Sequence, residues 1–188
     1  MKKVNIILSS MILFASLTAH SQTSGKLVSD KTQIGFYSHT SVEDIQANNN
    51  TSVSTINTTT GDVVFSVPMQ GFEFEKALMQ QHFNSDKFLD TKTFPKSKLK
   101  GKITNLSSVN FAKDGTYPAT VEGEMTIKGV TNPFTSTGTI TVKGNKTEVQ
   151  SKFNITLADY SITFVKGKPS SNIAKTVEVT VHAEYQTE

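Results

Sequence analysis

The chain has four histidines and no cysteine, which limits the chemistry it can perform. Thiol catalysis, Cys-ligated zinc and iron–sulfur clusters are excluded. His39, His82 and His182 are scattered, with no HxxxH or His-x-His spacing, and so make a weak metal signature. No Gly-x-Ser-x-Gly elbow positions a nucleophile, and no Gly-x-Gly fingerprint cradles a phosphate. Glu122 and Glu124 fall two apart on the outer face of a strand, as solvated carboxylates do, and Asp159 reads as a turn residue. Catalysis is therefore not expected. Of these three histidines, His82 stands beside an apolar stripe; it reads either as a partly buried helix cap or as a hydrogen-bonding group at a ligand's head.

Lys96, Lys98, Lys100 and Lys102 alternate with Ser97, Leu99, Gly101 and Ile103, a row of outward lysines on a strand. The row reads as edge protection or solubility, or as attraction to anionic lipid heads. Every basic residue is lysine. Nucleic-acid readers lean on arginine for bidentate contacts, and no aromatics interleave with these lysines to stack bases. Nucleic acid is excluded as a partner.

Residues 1–21 carry Lys2 and Lys3, an apolar run, and Ala19-His20-Ser21 before Gln22. A basic head, a short apolar body and a small-residue exit make a secretory signal peptide. Cleavage is expected after Ser21, leaving residues 22–188 as one exported domain with lysines and carboxylates almost balanced. Without disulfides, that domain must rely on packing and hydrogen bonds.

Period-two alternation marks the strands. In residues 121–128, Val121, Gly123, Met125 and Ile127 share one face. Residues 134–142, 147–157 and 176–185 alternate in the same way, and Lys143-Gly144-Asn145-Lys146 breaks one pair. Earlier strands are expected at 32–38, 52–57, 61–67 and 97–104. Residues 74–83 read as one inserted helix with Phe74, Leu78, Met79 and Phe83 on its apolar face. Residues 41–50, polar and Asn-rich, read as a mobile loop or an exposed edge. About eight antiparallel strands can bury their apolar face as a sandwich or as a closed barrel. Gly101, Gly123, Ser136, Gly138 and Ser151 interrupt that face. Such small residues leave room for a ligand or for strand bends, which favours a ligand-holding barrel.

The order of several segments is familiar. Gly61-Asp62-Val63-Val64-Phe65 leads to Leu78-Met79-Gln80-Gln81-His82-Phe83 and then Thr93-Phe94-Pro95-Lys96. Thr126-Ile127-Lys128-Gly129-Val130-Thr131-Asn132-Pro133 and Phe153-Asn154-Ile155-Thr156-Leu157 follow. Across residues 25–188 this resembles the YceI-like family of bacterial envelope proteins, which bind polyisoprenoid lipids. The resemblance implies an all-β fold: an extended, lipocalin-like antiparallel β-barrel with one inserted helix covering its opening. It implies a periplasmic address in a Gram-negative cell and no catalytic residues. It implies an isoprenoid-type lipid, a quinone or a polyprenyl chain, as the bound molecule, with no other cofactor. The tail would lie against Phe65, Met125, Ile127, Ile140, Phe153 and Ile155. Leu78, Met79 and Phe83 would close over it, with His82 near the head group. The other reading is an envelope interaction protein whose barrel is filled by its own side chains. A transient membrane-surface contact and a homodimer stay open at this point.

Overall fold

A computed structural model describes residues 25–163 and 172–186. The expected signal peptide lies outside the described residues. Nine strands form one antiparallel sheet: β1 (Lys26–His39), β2 (Asp44–Asn57), β3 (Asp62–Pro68), β4 (Phe72–Phe74), β5 (Lys96–Ile103), β6 (Gly115–Ile127), β7 (Val130–Lys143), β8 (Lys146–Thr156) and β9 (Thr176–Gln186). Their order is β1-β9-β8-β7-β6-β5-β3-β2-β4, and β1 also pairs with β2. Eight strands thus close into a barrel, and β4 adds a short strand beside β2, beyond the end of β3. The eight strands expected from alternation are all present.

Among the described residues the one α-helix, α1 (Ala77–Asn84), follows β4. It begins three residues later than expected. Phe74 belongs to β4 and pairs with Ala47, so it is not on the helix. Of the expected stripe only Phe83 is buried; Met79 is half-buried and Leu78 is 61% exposed. An eight-residue helix crossing a barrel end buries one end of its face, not its length.

Residues 41–50 are a second correction. Only the first few form a turn; from Asp44 on they are strand. Their polarity has a structural cause. Asn49 is fully buried. Its Oδ1 accepts from Thr51 N at 2.9 Å and Ser52 Oγ at 3.0 Å, and its Nδ2 donates to Pro68 O at 2.6 Å. The β1–β2 register shifts here, between Thr32↔Ser52 and Ile34↔Asn49. Such a bulge bends the strand that carries it, and Asn49 pins it.

The lysine row lies on β5, which is paired on both sides, to β3 and to β6. It is therefore not an edge. Lys100 stands opposite Glu124, and Lys102 between Asp62 and Glu122, so neighbouring carboxylates offset much of the row's field. Two interior glycines sit where a neighbouring backbone comes close. A Cβ at Gly123 would sit 2.2 Å from Lys100 O and 2.4 Å from Gly101 Cα; one at Gly138 would sit 2.4 Å from Gln150 O. These residues let adjacent backbones approach where the barrel curls.

Two apolar clusters fill the ends. The helix end holds Ile34, Phe72, Phe83, Leu89, Met125, Leu157 and Val179. The opposite end, the base, holds Leu27, Ile56, Val63, Ile103, Ile140 and Tyr185.

Candidate functional site

Lined by residues of both clusters, the barrel interior holds a cavity of about 880 Å³. That is near the top of the range for small-molecule sites, roughly 300–1,000 Å³. The strands build its wall from their inward rows. β6 contributes Met125 and Ile127, β7 Phe134 and Ile140, and β8 Phe153 and Ile155, while Phe65 comes from β3.

The helix end is roofed by aromatic rings. Phe83 of α1 lies 5.0 Å from Phe74, 5.3 Å from Phe72, 5.8 Å from Phe36 and 6.1 Å from Phe88, centroid to centroid. At the rim, Lys76 Nζ pairs with Glu43 Oε1 at 3.3 Å, and Asn172 Nδ2 donates to Glu43 Oε2 at 3.4 Å. The base is closed by large side chains and a chain of buried hydroxyls. Tyr185 is 1% exposed. Its hydroxyl shares a 2.7 Å hydrogen bond with Ser54 Oγ, which shares another of 2.7 Å with Thr32 Oγ1. Burial pushes the Tyr185 phenol up to about 12, partly opposed by the bond to Ser54.

Among the described residues the ionisable groups bordering the cavity are Glu43, Lys76, His82, Lys87 and Lys98, and none of them is buried. The interior proper offers methyls, methylenes and rings. Its polar wall groups are few: Ser136 and Ser151 share a 3.0 Å hydrogen bond, Ser97 Oγ points to Met69 Sδ, and Ser38 Oγ accepts from Ala174 N. An unpaired charge would be costly inside such a space, whereas an apolar chain would not. Among the described residues no group of three or more His, Cys, Asp or Glu could hold a metal ion.

All ten residues singled out from the sequence border this cavity: Phe65, Leu78, Met79, His82, Phe83, Met125, Ile127, Ile140, Phe153 and Ile155. They differ in depth. Ile140 is 2% exposed and lies toward the base, while His82 and Leu78 stand exposed at the rim. His82 has no burial to make it a structural cap. His39 and His182 lie elsewhere, on Asp44 Oδ1 at 2.6 Å and Glu148 Oε1 at 2.8 Å. Phe36, Phe72, Phe88 and Phe134 were missed as wall residues. Phe134 shares a face with Ile140 in the alternation, and Phe72 flanks Glu73 together with Phe74, so both carried a usable signal.

The model of the YceI-like domain matches residues 26–185. Three solved structures share the fold. A polyisoprenoid-binding domain from Saccharophagus degradans, implicated in plant cell wall breakdown, is 14% identical with a TM-score of 0.73. The alignment covers 87% of this chain and 99% of that one. BcnA of Burkholderia cenocepacia is 15% identical with a TM-score of 0.69, covering 82% and 96%. The YceI protein of Campylobacter jejuni is 13% identical with a TM-score of 0.55, covering 100% and 94%. No curated protein matches the chain in sequence.

Proposed function

Because the chain belongs to the YceI-like family, we propose that it is a carrier or store for one long-chain isoprenoid-type lipid, a quinone or a polyprenyl chain, held inside the barrel. The observation that carries this reading is the cavity of about 880 Å³ with an apolar interior and its charged groups confined to exposed positions. The fold neighbour from Saccharophagus degradans, named a polyisoprenoid-binding domain, supports it. Each methylene taken out of water contributes about 0.8 kcal/mol, and part of that is spent on ordering the chain. Met125, Ile127, Phe153 and Ile155 would line the tail, and Phe83 would cover its far end. The rim groups His82, Lys76 and Glu43 stay in water. The signal-like pattern of residues 1–21 supports export, and with it a periplasmic address. A barrel packed solid by its own side chains, as the interaction-protein reading requires, is at odds with the cavity.

The test is organic extraction of protein purified from its source, followed by mass spectrometry. One isoprenoid lipid recovered in near-equal amount is the expected result. A clean extract, together with no uptake of added polyprenol or quinone, overturns the reading.

A further inference from the structure

β7 and β8 are hydrogen-bonded over only part of their length. The ladder runs from Lys143↔Lys146 to Gly138↔Ser151 and stops. Past that pair each strand continues, bound on its other side alone: β7 to β6 as far as Ile127↔Val130, and β8 to β9 as far as Thr156↔Thr176. The two hairpins diverge and leave a slit in the wall. Asn132 Nδ2, donating to Asp159 O at 2.7 Å, closes its upper end.

Side chains, not backbone, fill the slit. Phe134 and Phe153 meet edge to face with centroids 4.9 Å apart. Beneath them Ser136 and Ser151 share their hydrogen bond, and Ser151 Oγ donates to Thr137 O at 2.8 Å. Thr137, exposed on the outer face of β7 just past the last ladder pair, borders the cavity, as do Phe134, Ser136, Ser151 and Phe153. The cavity thus lies directly behind the slit, with these side chains between it and the surface.

We propose that this slit is a lateral portal, through which a single-chain lipid with an uncharged, hydrogen-bonding head enters and leaves, the Ser136–Ser151 pair receiving the head. The inference rests on the lipid-binding reading above. Opening the slit turns two half-buried rings and hydrates two hydroxyls; no ladder bond breaks. Opening the helix end pulls Phe83 away from four other rings and moves α1 with it. Side-chain rotations are faster than such collective motions. The outer rim suits an uncharged passenger: Thr135, Thr137 and Thr139 on β7, and Gln150, Lys152 and Asn154 on β8, with Lys152 paired to Glu178 at 2.8 Å.

The test uses retinol, an isoprenoid alcohol with its own fluorescence, transferred from phosphatidylcholine vesicles in a stopped-flow instrument. The chain has no cysteine, so a single introduced thiol can be labelled alone. A bulky maleimide on Thr137→Cys, or on Lys152→Cys as a second rim position, is expected to slow uptake at least about tenfold, a barrier increase of about 1.4 kcal/mol. The same label on Gln81→Cys, exposed on α1 at the helix end and outside the cavity wall, should leave the rate within about twofold of the unlabelled protein. Slowing by the helix label alone, or equal slowing at both ends, overturns the portal while leaving the lipid-binding reading intact. Failure of the unmodified protein to take up retinol, added polyprenol or quinone at equilibrium overturns both.

Discussion

Replacing Tyr185 by phenylalanine tests whether the base of the barrel is sealed. The phenol is 1% exposed, hydrogen-bonded to Ser54, and raised from 10.0 to about 12 chiefly by burial. Above pH 10 the unfolded chain releases this proton while the folded chain keeps it. The contribution is thus fully present below pH 10 and is lost as pH rises to about 12. At 1.36 kcal/mol per pH unit the loss amounts to roughly 2.7 kcal/mol. Tyr185→Phe removes that loss together with one hydrogen bond, which costs about 1 kcal/mol at neutral pH. The variant should therefore be less stable near pH 8 and more stable near pH 12, with the curves crossing between pH 10 and 12. Lysines and the other tyrosines ionise in both proteins and cancel in the difference. Urea unfolding followed by far-ultraviolet circular dichroism suits a chain with no tryptophan. Parallel stability curves from pH 8 to 12 would refute the argument: they would mean that water reaches the hydroxyl and that the base is open.

Four further outcomes follow from packing, turn geometry and charge. Phe83→Ala should cost about 3–5 kcal/mol, as large aromatic truncations do, whereas Leu78→Ala, at 61% exposure, should stay within about 0.5 kcal/mol; thermal melts compare them. Gly123→Ala forces a Cβ to 2.2 Å from Lys100 O and should give little folded protein on gel filtration. Gly144→Asn, in a turn at φ +59 with open space around it, should stay within about 1 kcal/mol of the parent. Glu148 is held below its ordinary 4.5 by the Gln150 amide and then by His182, so its contribution is present above pH 4.5 and is lost as pH falls through the lower folded value. Glu148→Gln should flatten the acid limb of the stability curve there; an unchanged limb would show that these bonds do not hold in solution.

Alternation made the eight long strands legible, because each has one wet face and one apolar face. What it could not report is edges. Residues 130–137 alternate as cleanly as the rest of β7, although half of that strand lacks a partner on the β8 side. The helix start was misjudged because Phe74, four residues before Leu78, mimics a helical face; tertiary pairing with Ala47 claims it for β4. The Asn-rich stretch read as a loop because buried amides that pin a bulge look polar in sequence. Ser29, Thr32, Ser52 and Ser54 likewise hide an interior hydroxyl row. Glycine at 123 and 138 signalled closeness, and only coordinates tell closeness to a neighbouring backbone from room for a ligand. The candidate site was legible through its apolar rows on β6 and β8, and illegible where rings converge from β1 and the loop after α1.

The seam between β1 and β9 governs when the cavity comes into being. Ile34 meets Val181, so the first long strand waits for the last. Hairpins such as β6–β7 close over a two-residue turn, but joining positions so distant carries a loop entropy of about 4 kcal/mol. Contacts of such long range slow folding. Until that seam forms the apolar rows face water, and a lipid has an open trough rather than a pocket. A ligand that binds only the closed ring favours closure in proportion to its concentration over its Kd. Cargo and final strand would then act as mutual folding aids.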